Sequence, residues 1–125
     1  MDQAKLNASE SVRAVVNTYI AGYLQAEREW VLNAFHEETR LFSVDQGKLE
    51  KTLMTEWLSN MEERKKRGDV RSANSRIENI DVSNNAASVK VILTFQKYQF
   101  TDYLSLLRIG DEWKVVGKIY NVENI

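Results

Sequence analysis

Asp102 is the residue of this chain with the clearest chemical promise. It lies near the start of a predicted β-strand, Phe100 to Ile109. A carboxylate that faces an apolar space takes up a proton more readily than one in water, and this prepares it as a general acid or base. The single histidine, His36, could share the same space and assist. Asp102 and His36 are therefore the candidate catalytic residues.

Both residues also have simpler roles open to them. Asp102 could lie at the edge of a sheet, where it would cap a backbone group or pair with Arg76 or Lys118. His36 could cap the end of a helix, where a positive charge is favoured. The catalytic interpretation requires the two side chains to share one cavity.

Aromatic side chains are the candidate walls of a ligand pocket. Tyr19 and Tyr23 lie one helical turn apart, and their hydroxyl groups need hydrogen-bond partners if they are buried. Trp57 could stack on a ring, although tryptophan at helical spacing more often belongs to a core. The candidate ligand-binding residues are Tyr19, Tyr23, Phe42, Trp57, Leu104 and Trp113.

Composition excludes several other kinds of function. The chain has no cysteine and one histidine, so we predict neither a metal site nor a cofactor. Its net charge of −1 gives no field that would attract nucleic acid or an anionic membrane. Residues 1–7 include Asp2 and Lys5 and lack the apolar run of a signal peptide, which predicts a cytoplasmic protein. The 125 residues predict one domain, 1–125.

The first half of the sequence predicts helices. Apolar residues recur at steps of three and four from Val12 to Leu24, and Asn7 is the predicted N-cap. Gly22 lies inside this helix, where glycine costs stability, so it indicates either a close approach to a neighbouring element or a thin spot over the interior. Two further helices are predicted over 28–35 and 51–67, with short strands over 39–44 and 48–50.

The second half predicts an antiparallel meander. Apolar and polar residues alternate from Ala87 to Phe95, as in a half-buried strand. Asn84-Asn85 and Gly110-Asp111 are turn sequences. The predicted strands cover 70–82, 86–96, 100–109 and 112–120. Helices followed by antiparallel strands predict an α+β fold with the helices on one face of the sheet.

The Gly110-Asp111 turn predicts the register of the last hairpin. If the pairing continues without interruption, Leu106 faces Val115 and Asp102 faces Ile119. The more apolar face is assigned to the interior. That face comprises Asp102, Leu104, Leu106, Arg108, Trp113, Val115, Gly117 and Ile119, and the outer face comprises Thr101, Tyr103, Ser105, Leu107, Lys114, Val116, Lys118 and Tyr120.

The predicted outer face is too apolar to meet only water. It carries Tyr103, Leu107, Val116 and Tyr120. An exposed apolar sheet face indicates a protein partner, and a symmetric homodimer packed sheet to sheet is the simplest one.

Short motifs recur in a fixed order along nearly the whole chain. They are Tyr19-Ile20-x-Gly22, Phe35-His36, the Gly47 turn, Arg76-Ile77 with Ile80-Asp81-Val82, Asp102-Tyr103-Leu104-x-Leu106 and Trp113-Lys114-Val115-Val116-x-Lys118. Together they resemble the "putative lumazine-binding" family of the nuclear-transport-factor-2-like (NTF2-like) superfamily. The resemblance implies a cone of helices over a curved sheet, a homodimer and a pocket between helices and sheet. Relatives with this fold include ketosteroid isomerases, polyketide cyclases and dehydratases.

These observations leave three functions open. The first is binding of an unidentified small molecule in the cone. The second is an isomerase, cyclase or dehydratase in which Asp102 removes a proton next to a carbonyl group and His36 assists. The third is a dimeric scaffold that uses the outer face of the sheet.

Overall fold

The computed structural model describes residues 2–125 and has the predicted α+β architecture, with three helices packed on a curved sheet of six strands. The strands lie in the order β2-β1-β6-β5-β4-β3, with β1 and β6 parallel and all other neighbours antiparallel. The elements are α1 (Gln3–Gln25), α2 (Arg28–Ala34), β1 (Arg40–Asp45), β2 (Lys48–Leu53), α3 (Met54–Lys66), β3 (Asn74–Ser83), β4 (Ala86–Thr94), β5 (Tyr98–Ile109) and β6 (Glu112–Asn124).

Helix α1 begins earlier than its sequence pattern indicates. The Asp2 carboxylate accepts a hydrogen bond of 3.2 Å from the N–H of Ala4 and caps the helix. The predicted cap, Asn7, lies inside the helix and accepts a hydrogen bond of 2.9 Å from the Gln3 side chain. The cap prediction was wrong because the first turn of α1 is exposed and polar, so apolar periodicity does not mark it.

Gly22 lies at the close approach between α1 and α2. A Cβ atom added there would come within 2.9 Å of Trp30 Cβ and of Val31 Cγ2. Glycine lets the two helices meet, and the N–H of Glu27 bonds to the Gly22 carbonyl at 2.8 Å. The predicted close approach is therefore confirmed.

Arg64 of α3 holds the C-terminal end of α1. Its guanidinium donates to the carbonyl oxygens of Tyr23 at 2.8 Å and of Leu24 at 3.4 Å in the last turn of α1. The Tyr23 carbonyl also accepts from the N–H of Ala26 at 3.4 Å, and the Leu24 carbonyl from that of Arg71 at 2.7 Å. The Arg64 side chain is buried and lies 3.5 Å from the Asp69 carboxylate. This clamp fixes the part of α1 that carries the tyrosines.

The hairpin of β5 and β6 contains a β-bulge that the sequence prediction missed. Leu106 pairs with Val115, as predicted, but Ser105 pairs with Gly117, so Val116 is an extra residue in β6. Beyond Val116 every residue of β6 points to the face opposite to the predicted one. Asp102 now faces Tyr120, and Leu104 faces Lys118.

The bulge therefore corrects the predicted faces of the sheet. Lys118 and Tyr120, assigned to the outer face, point towards the helices, and Gly117 and Ile119 point outward. The Lys118 side chain is buried, whereas Ile119 is 56% exposed. Among residues 2–125, no helix is long and apolar enough to cross a membrane.

Candidate functional site

A buried polar network lies between α1 and the inner face of the sheet. The Tyr19 hydroxyl donates to Asp102 Oδ2 at 2.5 Å. Lys118 Nζ donates to the Tyr19 hydroxyl oxygen at 2.7 Å and lies 3.7 Å from Asp102 Oδ2. Asp102 and Tyr19 are fully buried, and Lys118 is 4% exposed. We call these three side chains the inner network.

Aromatic rings surround the ammonium group of Lys118. Its Nζ lies 4.7 Å from the ring centroid of Trp57, 4.9 Å from that of Tyr19, 5.0 Å from that of Tyr120 and 5.7 Å from that of Tyr23. Each distance is within the range in which a ring face attracts a cation. The rings and the Asp102 carboxylate together offset part of the cost of burying the charge.

Burial shifts the proton affinities of the network. Loss of contact with water lowers the pKa of Lys118, and the negative charge of the nearby Asp102 carboxylate opposes this effect. Burial also raises the pKa of Tyr19 well above its usual range, and the neighbouring Asp102 carboxylate raises it further. The structure thus favours a neutral tyrosine, and burial reduces the preference of Lys118 for its charged form.

One carboxylate oxygen of the inner network, Asp102 Oδ1, has no hydrogen-bond partner among the described residues. The atom is buried. A buried polar atom without a partner costs free energy, and in native proteins such atoms call for an explanation. The Lys118 amine lies 3.7 Å from the other oxygen of the same carboxylate, Oδ2, so the unpartnered acceptor belongs to a group that lies close to a donor.

Exposure increases from the inner network towards one side of the cone. It is zero at Asp102 and Tyr19, 7% at Tyr23 and 9% at Trp57. Beyond them lie Phe100 and Tyr120, which are half-buried and stack with ring centroids 6.2 Å apart. This half-buried aromatic pair marks the side on which the network is nearest to solvent.

Side chains fill the interior around the network. Tyr19 contacts Phe35 and Trp57 with ring centroids at 5.1 and 5.9 Å, and Phe35 contacts Trp57 at 5.0 Å. These are ordinary distances for aromatic contacts. A ligand that reached Asp102 would have to displace rings on the half-buried side.

His36 lies outside the inner network. It follows α2, and its backbone N–H donates to the Val115 carbonyl at 2.8 Å. Its Nδ1 accepts a hydrogen bond of 3.1 Å from the N–H of Glu38. The described contacts thus give His36 a role in the turn between α2 and β1, and the polar partners of Asp102 are Tyr19 and Lys118.

The predicted pocket residues divide into two groups. Tyr19, Tyr23, Trp57 and Leu104 lie on the inside, close to Asp102 or Lys118. Trp113 is also buried but lies far from both, and Phe42 lies on the outer face. Phe42 pairs with Ile119 in the parallel ladder of β1 and β6 and shares its outward face. Trp113 pairs with Arg108, six positions along β5 from Asp102, and is therefore about 20 Å away.

Lys118 is the candidate site residue that sequence reasoning placed on the wrong face of the sheet. The pairing with Asp102 was open as an alternative, but only for a carboxylate at the edge of the sheet. Gly117 is the signal that could have corrected the register, because an isolated glycine within a strand often marks a bulge. Arg71 was also missed; it donates to the Tyr23 hydroxyl at 2.8 Å.

A shallow groove of about 280 Å³ lies on the outer face of the sheet. Its apolar walls come from Phe42, Val44, Leu49, Tyr103 and Ile119. The last four side chains are between 47% and 69% exposed. We call this surface the outer groove. The predicted outer apolar residues Tyr103 and Leu107 are exposed as expected, whereas Tyr120 belongs to the inside.

The sequence matches a known family over most of its length. The model of the family described as "Putative lumazine-binding" matches residues 7–121. The chain belongs to this family. No curated protein sequence matches it. Among residues 2–125, no group of three or more histidine, aspartate or glutamate side chains could hold a metal ion.

Solved structures confirm the NTF2-like fold. An NTF2-like protein of unknown function from Shewanella baltica OS155 shares 23% identity with a TM-score of 0.81, covering 98% of each chain. One from Silicibacter pomeroyi DSS-3 shares 18% identity with a TM-score of 0.80, covering 98% of this chain and 100% of the other. A protein described as a putative ketosteroid isomerase, from Shewanella frigidimarina NCIMB 400, shares 16% identity with a TM-score of 0.66, covering 89% and 94%.

Proposed function

We propose that this protein binds a small planar molecule between its helices and the inner face of the sheet, at the inner network. The observation that carries the proposal is the buried Asp102 Oδ1 atom, for which the described residues provide no donor. A ligand with an N–H or O–H group would satisfy this oxygen and regain the hydrogen bond that the fold lacks. The family to which the chain belongs, described as "Putative lumazine-binding", agrees with a small-molecule ligand.

The surrounding rings support a planar ligand. Trp57 and Tyr120 flank the Lys118 amine, and Phe100 stacks on Tyr120 at the half-buried side. Movement of Phe100 and Tyr120 would open a path to Asp102 and present ring faces to the ligand. Ligand sites commonly combine such apolar walls with a few convergent polar groups.

Nuclear magnetic resonance (NMR) can test this proposal on the unmodified protein. Lumazine and benzamide are suitable probes, since each is planar and carries an N–H donor. We expect either probe to shift the indole N–H resonance of Trp57 and to leave that of Trp30 unchanged, because Trp30 is 40% exposed on α2. Shifts at neither indole, or equal shifts at both, would contradict a site at the inner network.

A matched pair of variants gives a second test. Asp102→Asn keeps the size of the side chain but removes the carboxylate, and we expect it to weaken binding of the probe that the wild type binds. Asp81→Asn makes the same change at an exposed position of β3 and should leave binding unchanged. Equal affinity of both variants would show that the carboxylate does not contact the ligand.

An enzyme is the second candidate function, and the same network favours it. Asp102 is placed to exchange protons with Tyr19 and, through Tyr19, with Lys118. In this version Asp102 keeps the role of base that the sequence suggested, and Lys118 and Tyr19 take the place proposed for His36. The fold alone does not specify a reaction.

We also propose that the outer groove joins two copies of this chain in a homodimer. Its exposed apolar side chains support an interface, and a sheet face can meet its own copy around a two-fold axis. The scaffold function suggested by the sequence would use the same surface. The cytoplasmic location and the lack of nucleic-acid partners stay predictions from the sequence.

A further inference from the structure

We infer that Lys118 is a covalent capture site, at which its amine forms an imine with a small planar aldehyde or ketone. The inference rests on the proposed function, since the carbonyl compound must reach the inner network. It adds a reaction and a substrate class to the binding of a planar molecule.

The first requirement of such a site is a lysine that is sheltered from water. Lys118 Nζ lies among four aromatic rings, and its side chain is 3% exposed. Desolvated lysines are the ones that proteins use to attack carbonyl groups, because burial makes the neutral amine accessible. The lowered pKa of Lys118, caused by its burial, agrees with this use.

The second requirement is a route for the proton that the ammonium group must lose. Lys118 donates to the Tyr19 hydroxyl at 2.7 Å, and that hydroxyl donates to Asp102 Oδ2 at 2.5 Å. If both protons shift along these hydrogen bonds, the result is a neutral amine, a neutral tyrosine and a protonated carboxyl group. Tyr19 never becomes a free anion, which suits its raised pKa.

The reaction then balances with the groups that are present. The lone pair of the Lys118 amine attacks the carbonyl carbon and a C–N bond forms. A proton then passes from the positively charged nitrogen to the oxygen, which gives a neutral carbinolamine and restores the nitrogen lone pair. The C–O bond breaks, the nitrogen lone pair forms the C=N bond, and the hydroxyl leaves as water after receiving the proton held by Asp102. Amine and carbonyl compound are consumed, and imine and one water molecule are formed, with no change in oxidation state.

The surroundings also suit the product. A protonated imine carries the same positive charge as the ammonium group, so Asp102 and the ring faces stabilise both. Asp102 Oδ1, which has no donor among the described residues, is free to bind the hydroxyl group of the carbinolamine. Conjugation to a ring would let the captured compound lie flat against Trp57 or Tyr120.

Reductive trapping tests this inference. The wild-type protein is incubated with benzaldehyde and sodium cyanoborohydride, which reduces imines to stable amines, and the labelled lysines are located by peptide mass spectrometry. We expect Lys118 to be labelled at least about 100-fold faster than Lys114, since a positioned group that accepts and returns protons, as Asp102 does here through Tyr19, accelerates such a reaction by about that factor. Labelling of Lys118 no faster than that of Lys114 would overturn the inference.

Two variants separate the chemistry from folding. Lys118→Arg keeps a cation among the rings but cannot form an imine, so labelling at 118 should vanish while Lys114 is labelled as before. Tyr19→Phe removes the proton route, and we expect labelling of Lys118 to fall at neutral pH and to recover in alkaline solution. A purely structural tyrosine would change labelling equally at both pH values, which would refute the proton route.

Benzyl alcohol distinguishes failure of the inference from failure of the proposed function. It resembles benzaldehyde in shape and lacks the carbonyl group. Binding of benzyl alcohol near Trp57 without labelling of Lys118 would remove the imine and keep the small-molecule site. If neither compound reached the inner network, the result would contradict both the imine at Lys118 and the proposed small-molecule site.

Discussion

The two faces of the β5–β6 hairpin contrast in an unusual way. The inner face, which lies against the helices, carries a carboxylate and an ammonium group, Asp102 and Lys118. The outer face exposes the apolar side chains of Tyr103 and Ile119. In most sheets of this kind the polar residues face water and the apolar ones are buried. Here Asp102 and Lys118 are charged residues that are buried, and the residues that follow each of them in the sequence are apolar and exposed.

This reversal indicates that stability alone did not select these residues. A buried ion pair is seldom better for stability than apolar side chains of the same volume. An exposed apolar surface is a liability unless a partner covers it. Both departures are explained if the inner face binds a ligand and the outer groove binds a second copy of the chain. Substitutions on one face at a time separate the two explanations.

The largest effect should come from breaking the buried ion pair. Lys118→Met leaves Asp102 buried without its cation, and we expect the free energy of unfolding to fall by about 3–5 kcal/mol. Urea denaturation followed by circular dichroism measures it. The double variant Asp102→Leu with Lys118→Met removes both charges and should recover most of the loss. A single variant as stable as the wild type would show that the pair is not buried in solution.

Tyr19→Phe should have an intermediate effect that depends on pH. It removes the hydroxyl group that bonds to Asp102 and Lys118, and we expect the free energy of unfolding to fall by about 1.5–3 kcal/mol in total below the ordinary tyrosine pKa of about 10. Because burial and Asp102 raise the pKa of Tyr19 in the folded state, its contribution is complete below that pH. The contribution of Tyr19 to stability is lost as the pH rises from its pKa in the unfolded chain towards its higher pKa in the folded protein.

Denaturation curves at several pH values check this dependence. The stability difference between the wild type and Tyr19→Phe should shrink as the solution becomes more alkaline than the ordinary tyrosine pKa. Tyr103→Phe is the matched control, because Tyr103 lies on the same hairpin and is 47% exposed. A difference that stayed constant with pH would place the Tyr19 hydroxyl in contact with water.

The smallest effect on the folded chain should come from the outer groove. Ile119→Lys is expected to change the unfolding free energy of the monomer by no more than about 0.5 kcal/mol, because the side chain is exposed. It should nevertheless abolish a homodimer, as judged by sedimentation velocity. Leu6→Lys, at an exposed apolar position of α1, should leave the dimer intact. A wild type that sediments as a monomer would remove the homodimer proposal.

The sequence predicted the fold well because the fold follows from regular patterns. Three- and four-residue apolar spacing indicated the helices, and strict alternation indicated β4. The turn at Gly110 was also predicted, and its positive φ of 64° is a conformation that glycine adopts readily. These signals depend only on residues close together in the sequence, so they can be recognised without knowledge of the tertiary structure.

The inner network was predicted only in part because it depends on a long-range register. Asp102 and Tyr19 were recognised by residue type, but their contact joins residues 83 positions apart. Lys118 was misplaced because periodicity cannot count across a bulge, and Gly117 gave the only local sign. His36 was selected as the single histidine, and residue type carries no information about which way a side chain points.

Val116 has a consequence for how this hairpin can change over evolutionary time. Successive side chains of a strand point to opposite faces of the sheet. One extra residue therefore moves every following side chain to the other face. Loss or gain of a single residue near Val116 would move the ammonium group of Lys118 into solvent and bring Ile119 inside. Two residues gained or lost together would keep the assignment. An insertion of one residue here would therefore change which side chains face the helices, whereas an insertion of two would change only the length of the strand.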